Sequence, residues 1–195
     1  MRRDLISSVL AILVFTVLLG LAYPLATTGV AQVLWPSKSD GSVIERHGKA
    51  VGSRLIGQDF KGRPRYFQSR PSATGYNPAA TFFNNLGPNS AALRKLFEKN
   101  AAAYVKREGP YNPGLSKRDV PPDAVQTTAS GVDPHISEAN AGIQARRVAA
   151  ERGLPLARVL ELVDQNTDDR GLGVLGEPGV NVLELNLALD DGGAR

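Results

Sequence analysis

From Leu5 to Leu34 thirty consecutive positions carry no charge, and the first ionisable head group after Asp4 and Tyr23 is that of Lys38. A bilayer core is crossed by about 20 mostly apolar helical residues, so this stretch is long enough to span with turns to spare. Behind it the pattern changes to short apolar groups broken by Gly and Pro. Ser53 to Phe60 and Arg65 to Gln68 read as short strands, with Leu55, Ile56, Phe60, Tyr66 and Phe67 as their apolar contacts. Gly87 and Pro88 open a helix in which Leu93, Leu96, Phe97, Asn100 or Ala101, and Tyr104 recur at helical spacing. Lys95, Lys99 and Lys106 form its solvated face. Pro110 to Gly114 ends it, and Pro121 and Pro122 begin the next unit. Glu138 to Arg152 reads as a helix with Ala139, Ile143, Val148 and Ala149 as its apolar positions and Gly153 as its stop. Pro155 starts another, burying Leu156, Val159, Leu160 and Val163. The last expected element is a strand from Asn181 to Asp190, where Leu183, Leu185, Leu187 and Leu189 alternate with polar or small residues. The fold class is a single N-terminal transmembrane helix followed by one α+β (mixed α/β) exoplasmic domain, with boundaries at 1–34 and 35–195.

Composition adds limits. A chain of 195 residues with 42% apolar residues, 20 Gly and 13 Pro leaves one loop-rich domain after the span. The absence of cysteine excludes disulfides, thiolate catalysis and a lipid-modified cysteine. A net charge of +4 without a dense basic cluster gives no footprint for nucleic acid. Arg2 and Arg3 precede the span and nothing basic follows until Lys38, which places the start in the cytoplasm and the domain outside. A cleaved signal peptide is the competing reading, with Gly29, Val30 and Ala31 as its site. The apolar run exceeds the 7 to 15 or so residues of a signal core, which favours an uncleaved anchor. Trp35 and Pro36 mark the exit. Ser8, Thr16 and Gly20 lie close to one face of the span and form a candidate surface for packing another helix.

Two segments invite a reading as chemistry. TTASGVDPHIS, Thr127 to Ser137, gathers Ser130, Asp133 and His135 in the residue types of a hydrolase. A nucleophile, base and orienting acid rarely converge from one short turn, so local structure is preferred: Asp133 or Ser137 caps the following helix and Pro134 sits in its first turn. RGLGVLG, Arg170 to Gly176, has the glycine spacing of a dinucleotide loop. It follows a helix and runs into Glu177-Pro178-Gly179, the wrong context for that fingerprint, and reads as a glycine-rich connection. No metal ligand set is assigned.

The motifs in order carry a family likeness. LLGLAYPLATTGVAQVLWP in the span is followed by GSRLIGQDF, YFQSRPSATGYNP, NLGPNSAAL and SGVDPHIS. A helix bearing Gln144, Arg147, Val148, Ala149, Arg152, Gly153 and Leu154 comes next, and then LGVLGEPGVNVLELNLALD. With these the chain resembles the KdpC family, the small single-span subunit of the high-affinity potassium-transporting P-type ATPase. It departs from the family at Ala79 to Asn84, where a glycine and serine tract is common. The resemblance implies a non-catalytic subunit in the cell (inner) membrane. Its implied partners are a channel-like potassium-translocating subunit, an ATP-hydrolysing P-type pump subunit and a small hydrophobic subunit. ATP and potassium are then handled by the complex and no cofactor by this chain. A catalytic-chaperone role that raises the pump's affinity for ATP is also implied, with Gln144 as a nucleotide contact by family suggestion only. Ser130, Gly131, Asp133, Pro134 and His135 are then a structural family motif. A membrane-tethered exoplasmic hydrolase and a secreted binding protein are the alternatives.

Overall fold

The computed structural model describes residues 1–80 and 82–192; Thr81, within the run that departs from the family, and residues 193–195 lie outside them. The chain divides into two compact units, Met1–Val51 and Gly52–Arg195.

The first unit is dominated by a helix of 33 residues, Arg2–Leu34. At a rise of 1.5 Å per residue it is about 50 Å long, more than the roughly 30 Å of a hydrocarbon core. It comprises α1 (Arg2–Val17), a π turn at Leu18–Ala22 and α2 (Tyr23–Leu34). The π turn has a local cause. Pro24 has no N–H and its ring would press on the carbonyl four residues earlier, at Gly20. A wider turn relieves that crowding, and Tyr23 N–H donates to Leu18 O. The helix ends at Trp35, whose φ of −143° is not helical. A single turn, α3 (Pro36–Ser39), leads to the paired strands β1 (Val43–Arg46) and β2 (Lys49–Ser53). His47 and Gly48, both with positive φ (51° and 72°), make the two-residue turn between them. That geometry matches strand twist and accounts for the hairpin.

In the second unit the helices do most of the packing. Ser90 caps α4 (Ala91–Glu108) by accepting from Leu93 N (3.2 Å), so the helix starts after the expected Gly87-Pro88. Lys95, Lys99 and Lys106 are exposed on it. The single turn α5 (Pro122–Val125) follows. Asp123 from that turn accepts from Ser137 N and Oγ and from Asn140 Nδ2, fastening the start of α6 (Glu138–Arg152). Ser137 is the cap of α6, accepting from Asn140 N (3.1 Å). Pro134 lies outside its first turn, immediately before a strand. Gly153, at φ +66°, closes the helix, and Leu154 N reaches back to Ala149 O (3.0 Å). On α7 (Leu156–Gln165) the buried residues are Val159, Leu162 and Val163. Leu160 is 42% exposed, because it stands off the line that 159, 162 and 163 make along a 3.6-residue helix.

Three short strands, β3 (His135–Ile136), β4 (Thr167–Asp168) and β5 (Gly179–Asn181), form an antiparallel sheet in the order β3-β5-β4. His135 pairs with Asn181 on one side of β5, and Asp168 with Gly179 on the other.

None of the three expected strands forms over its expected range. Asn181 to Asp190 is instead the end of β5 followed by α8 (Val182–Gly192). Its buried residues, Val182, Leu183, Leu185, Asn186 and Leu189, follow a helical stripe. Leucine tolerates either period, so the alternation misled. Asn181 Oδ1 accepts from Glu184 N (3.2 Å), and Asn followed by Glu three residues on is a helix-start signal. Of the other two, Ser53 to Phe60 is strand only at Ser53, the end of β2, and Arg65 to Gln68 pairs with no strand among the described residues. The backbone of Pro64 to Gln68 is held by side chains instead of a neighbouring strand.

Candidate functional site

The centre of the second unit is polar. Asn140, Gln144 and Arg147, at i, i+4 and i+7 on α6, face inward and are almost fully buried. Gln144 has all of its amide capacity in use. Oε1 accepts from Gln68 N (2.8 Å) and Arg147 Nη2 (3.0 Å), while Nε2 donates to Gln68 O (3.0 Å) and Asn140 Oδ1 (2.9 Å). Asn186 on α8 does the same one residue earlier. Its Oδ1 accepts from Phe67 N (2.8 Å) and its Nδ2 donates to Phe67 O (2.9 Å). Arg147 donates to Tyr66 O (3.0 Å) and to Pro64 O, and Arg152 Nε donates to Arg65 O (2.7 Å). One segment is thus gripped residue by residue from two helices. Buried backbone groups must find partners, and here two amides replace a sheet ladder.

Glu108, at the end of α4, is buried and balances this positive cluster. Arg147 Nε donates to both its oxygens (3.1 and 3.0 Å) and Arg107 Nε to Oε1 (2.6 Å). Burial lowers the pKa of Arg147, and the neighbouring Glu108 opposes that shift. Tyr104 donates to Asn140 Oδ1 (2.8 Å) and lies under the Arg107 guanidinium at 5.0 Å. Its phenol pKa is raised above 10.0, first by burial and then by the charge of Glu108. Tyr76 is raised too, first by burial and then by Asp59. A cavity of about 440 Å³ opens beside the cluster, with Gln68, Tyr76, Tyr104, Arg107 and Gln144 among its walls.

The Ser130 to His135 segment is a structural joint. Gly131 has a φ of +78° and sits against Thr74, and its carbonyl accepts from Ser72 Oγ (2.7 Å). Ser130 Oγ accepts from Val132 N (3.2 Å) and lies 3.2 Å from Thr128 Oγ1. Asp133 Oδ1 accepts from His135 N (3.0 Å) and Oδ2 from Arg70 Nη1 (2.8 Å). It therefore makes a turn rather than a helix cap. Pro134 O accepts from Val182 N (3.0 Å). His135 Nε2 is 3.0 Å from Asp168 Oδ2, and Asp168 Oδ1 pairs with Arg54. Gly179 makes room for this ring, since a Cβ there would lie 3.3 Å from His135 Cβ. Among the described residues no hydrogen bond joins Ser130 to His135.

In the span, Ser8 and Thr16 lie on α1 and Gly20 in the π turn. The Thr16 methyl is 4.0 Å from where a Gly20 Cβ would stand, so these two adjoin on one side. Ser8 Oγ donates to Asp4 O (2.8 Å). Apolar periodicity missed the sites on α6 and α8, because their working residues are polar and inward. An Asn-x3-Gln-x2-Arg spacing on a predicted helix was the available signal.

Comparison with known proteins agrees with the motif likeness. The family described as K+-transporting ATPase, c chain (KdpC), matches residues 5–191. The potassium-transporting ATPase KdpC subunit of Koribacter versatilis is 46% identical over 192 residues, covering 97% of this chain and 95% of its own length. The KdpC subunit of Kineococcus radiotolerans is 49% identical over 189 residues, with coverage of 96% and 93%. That of Polaromonas naphthalenivorans is 49% identical over 193 residues, with coverage of 97% and 95%. This chain belongs to the KdpC family of potassium-transporting ATPase subunits.

Proposed function

We propose that the chain is a non-catalytic, single-pass subunit that assembles and stabilises an ATP-driven potassium uptake complex in the cell membrane. The observation that carries this reading is that the family match begins at residue 5, inside the apolar helix. The likeness therefore includes the membrane segment as well as the folded unit. Its partners are a channel-like subunit, an ATP-hydrolysing pump subunit and a small hydrophobic subunit. Arg2 and Arg3 keep the start in the cytoplasm and the domain outside. The side bearing Ser8, Thr16 and Gly20 is the intramembrane docking surface.

Gln144 acts as a structural clamp on Gln68 rather than as a contact to nucleotide. Its four hydrogen bonds leave no donor or acceptor capacity for a ligand without breaking the fold of that segment. Any influence on ATP affinity travels through the span or the assembled complex. The tethered-hydrolase reading has less support, because Ser130 and His135 are each engaged with other groups.

Mild detergent extraction of the tagged full chain, co-expressed with its partners, tests the reading. All partner chains are expected with it, and recovery alone would refute it. Gly20→Leu is expected to lower that recovery while leaving insertion intact. A reporter active only outside the cytoplasm, fused after Asp190, is expected to be active; inactivity would reverse the orientation.

A further inference from the structure

The connection between β4 and β5 holds three aliphatic side chains out to solvent. Leu172 is 92% exposed, Val174 74% and Leu175 62%. This is not a slack loop. Gly171 and Leu175 exchange backbone hydrogen bonds in both directions at 2.8 Å, Gly173 N donates to Arg170 O (3.0 Å), and Arg170 pairs with Glu177 across the base (2.6 Å). Leu172 stands at φ +53°, a left-handed conformation unusual for a leucine. The turn pushes its side chain outward when a polar residue would suit the backbone better. A preformed apolar tip loses little further freedom when it docks.

We infer that residues 171–175 form a docking finger for an apolar socket, rimmed by basic side chains, on another subunit of the transport complex. This rests on the reading of the chain as a subunit. Charge selects the occupant. Of the three carboxylates that flank the tip, Asp168 is paired with Arg54 and Glu177 with Arg170, which leaves the charge of Asp169 uncompensated there. Asp169 is exposed and makes no ion pair among the described residues. An anionic lipid surface would repel that rim, and the tip has none of the Lys, Arg, Trp or Tyr that hold a segment at a membrane interface. A second copy of this chain, meeting it tip to tip about a two-fold axis, would set like carboxylates together. A socket with an apolar floor and a Lys or Arg rim satisfies both features.

The absence of native cysteine allows a direct test. Val174→Cys in the full chain, labelled with a benzophenone maleimide and photolysed in membranes holding the whole complex, is expected to conjugate to another subunit. Conjugation only to lipid, or only to a second copy, overturns the proposal. Independently, the double variant Leu172→Asp and Leu175→Asp is expected to lower partner recovery at least about tenfold, since a buried aliphatic side chain contributes on that order to affinity. Leu160→Asp, at an exposed aliphatic position on α7 rather than in the loop, is the control and is expected to leave recovery unchanged. Equal recovery from the double variant, with its far-UV circular dichroism unchanged, overturns the finger alone. Absence of partners with the unmodified chain overturns the subunit reading and the finger with it.

Discussion

Replacing Gln144 with leucine separates a structural clamp from a ligand contact. The substitution keeps similar volume and removes all four hydrogen bonds of the amide. Gln68 N and Gln68 O then lose these partners at a buried position. Asn140 Oδ1 keeps its bond from Tyr104, and Arg147 keeps Glu108, so the main cost falls on the two backbone groups. Each buried polar group left unsatisfied costs about 1–3 kcal/mol, which gives a loss of about 2–6 kcal/mol. That is a large fraction of the roughly 5–15 kcal/mol by which folded domains are stable. The assay is urea unfolding of the detergent-solubilised full chain, followed by circular dichroism. With a slope of about 2 kcal/mol per molar urea, the midpoint is expected to fall by about 1–3 M at unchanged slope. A change below about 0.5 kcal/mol would place Gln144 with ordinary surface residues and refute the clamp.

Two further outcomes follow from the same geometry. The buried phenols of Tyr76 and Tyr104 keep their protons in the fold past the ordinary value of 10.0, whereas unfolded tyrosines release theirs near it. The unfolded state then binds fewer protons, so stability present below pH 10 is lost as pH rises above it, by up to about 1.4 kcal/mol per pH unit for each phenol. Tyr104→Phe should remove one phenol's share of that slope, and an unchanged slope between about pH 10 and 11 would contradict the assignment. Gly57→Ala places a Cβ 2.5 Å from Asp133 O, forcing apart a contact that Gly57 N–H···O=C Val132 (2.7 Å) holds closed. A loss of about 1–3 kcal/mol in the same urea assay is expected, and an unperturbed midpoint would count against the joint.

Sequence patterning was sufficient where one local rule governed the outcome. Thirty uncharged positions define the apolar helix, and Gly153 sets the end of α6, while of the two caps offered, Asp133 and Ser137, it is Ser137 that starts it. The motif order alone carried the family. What it could not supply was the destination of polar groups whose partners are remote in sequence. Gln68 and Gln144 are 76 positions apart, Phe67 and Asn186 119 apart. An amide on a helix looks solvent-facing until a backbone segment arrives to need it. For the same reason Arg65 to Gln68 read as a strand: its backbone groups are paired, but with side chains. In the last helix, leucines at every second position satisfy strand alternation and helical burial alike, and packing against the core selected the helix. The sequence by itself determined the apolar helix, the stop at Gly153 and the family; tertiary structure alone decided that Asn140, Gln144, Arg147 and Asn186 face inward, because buried polar groups must be satisfied wherever the chain brings them.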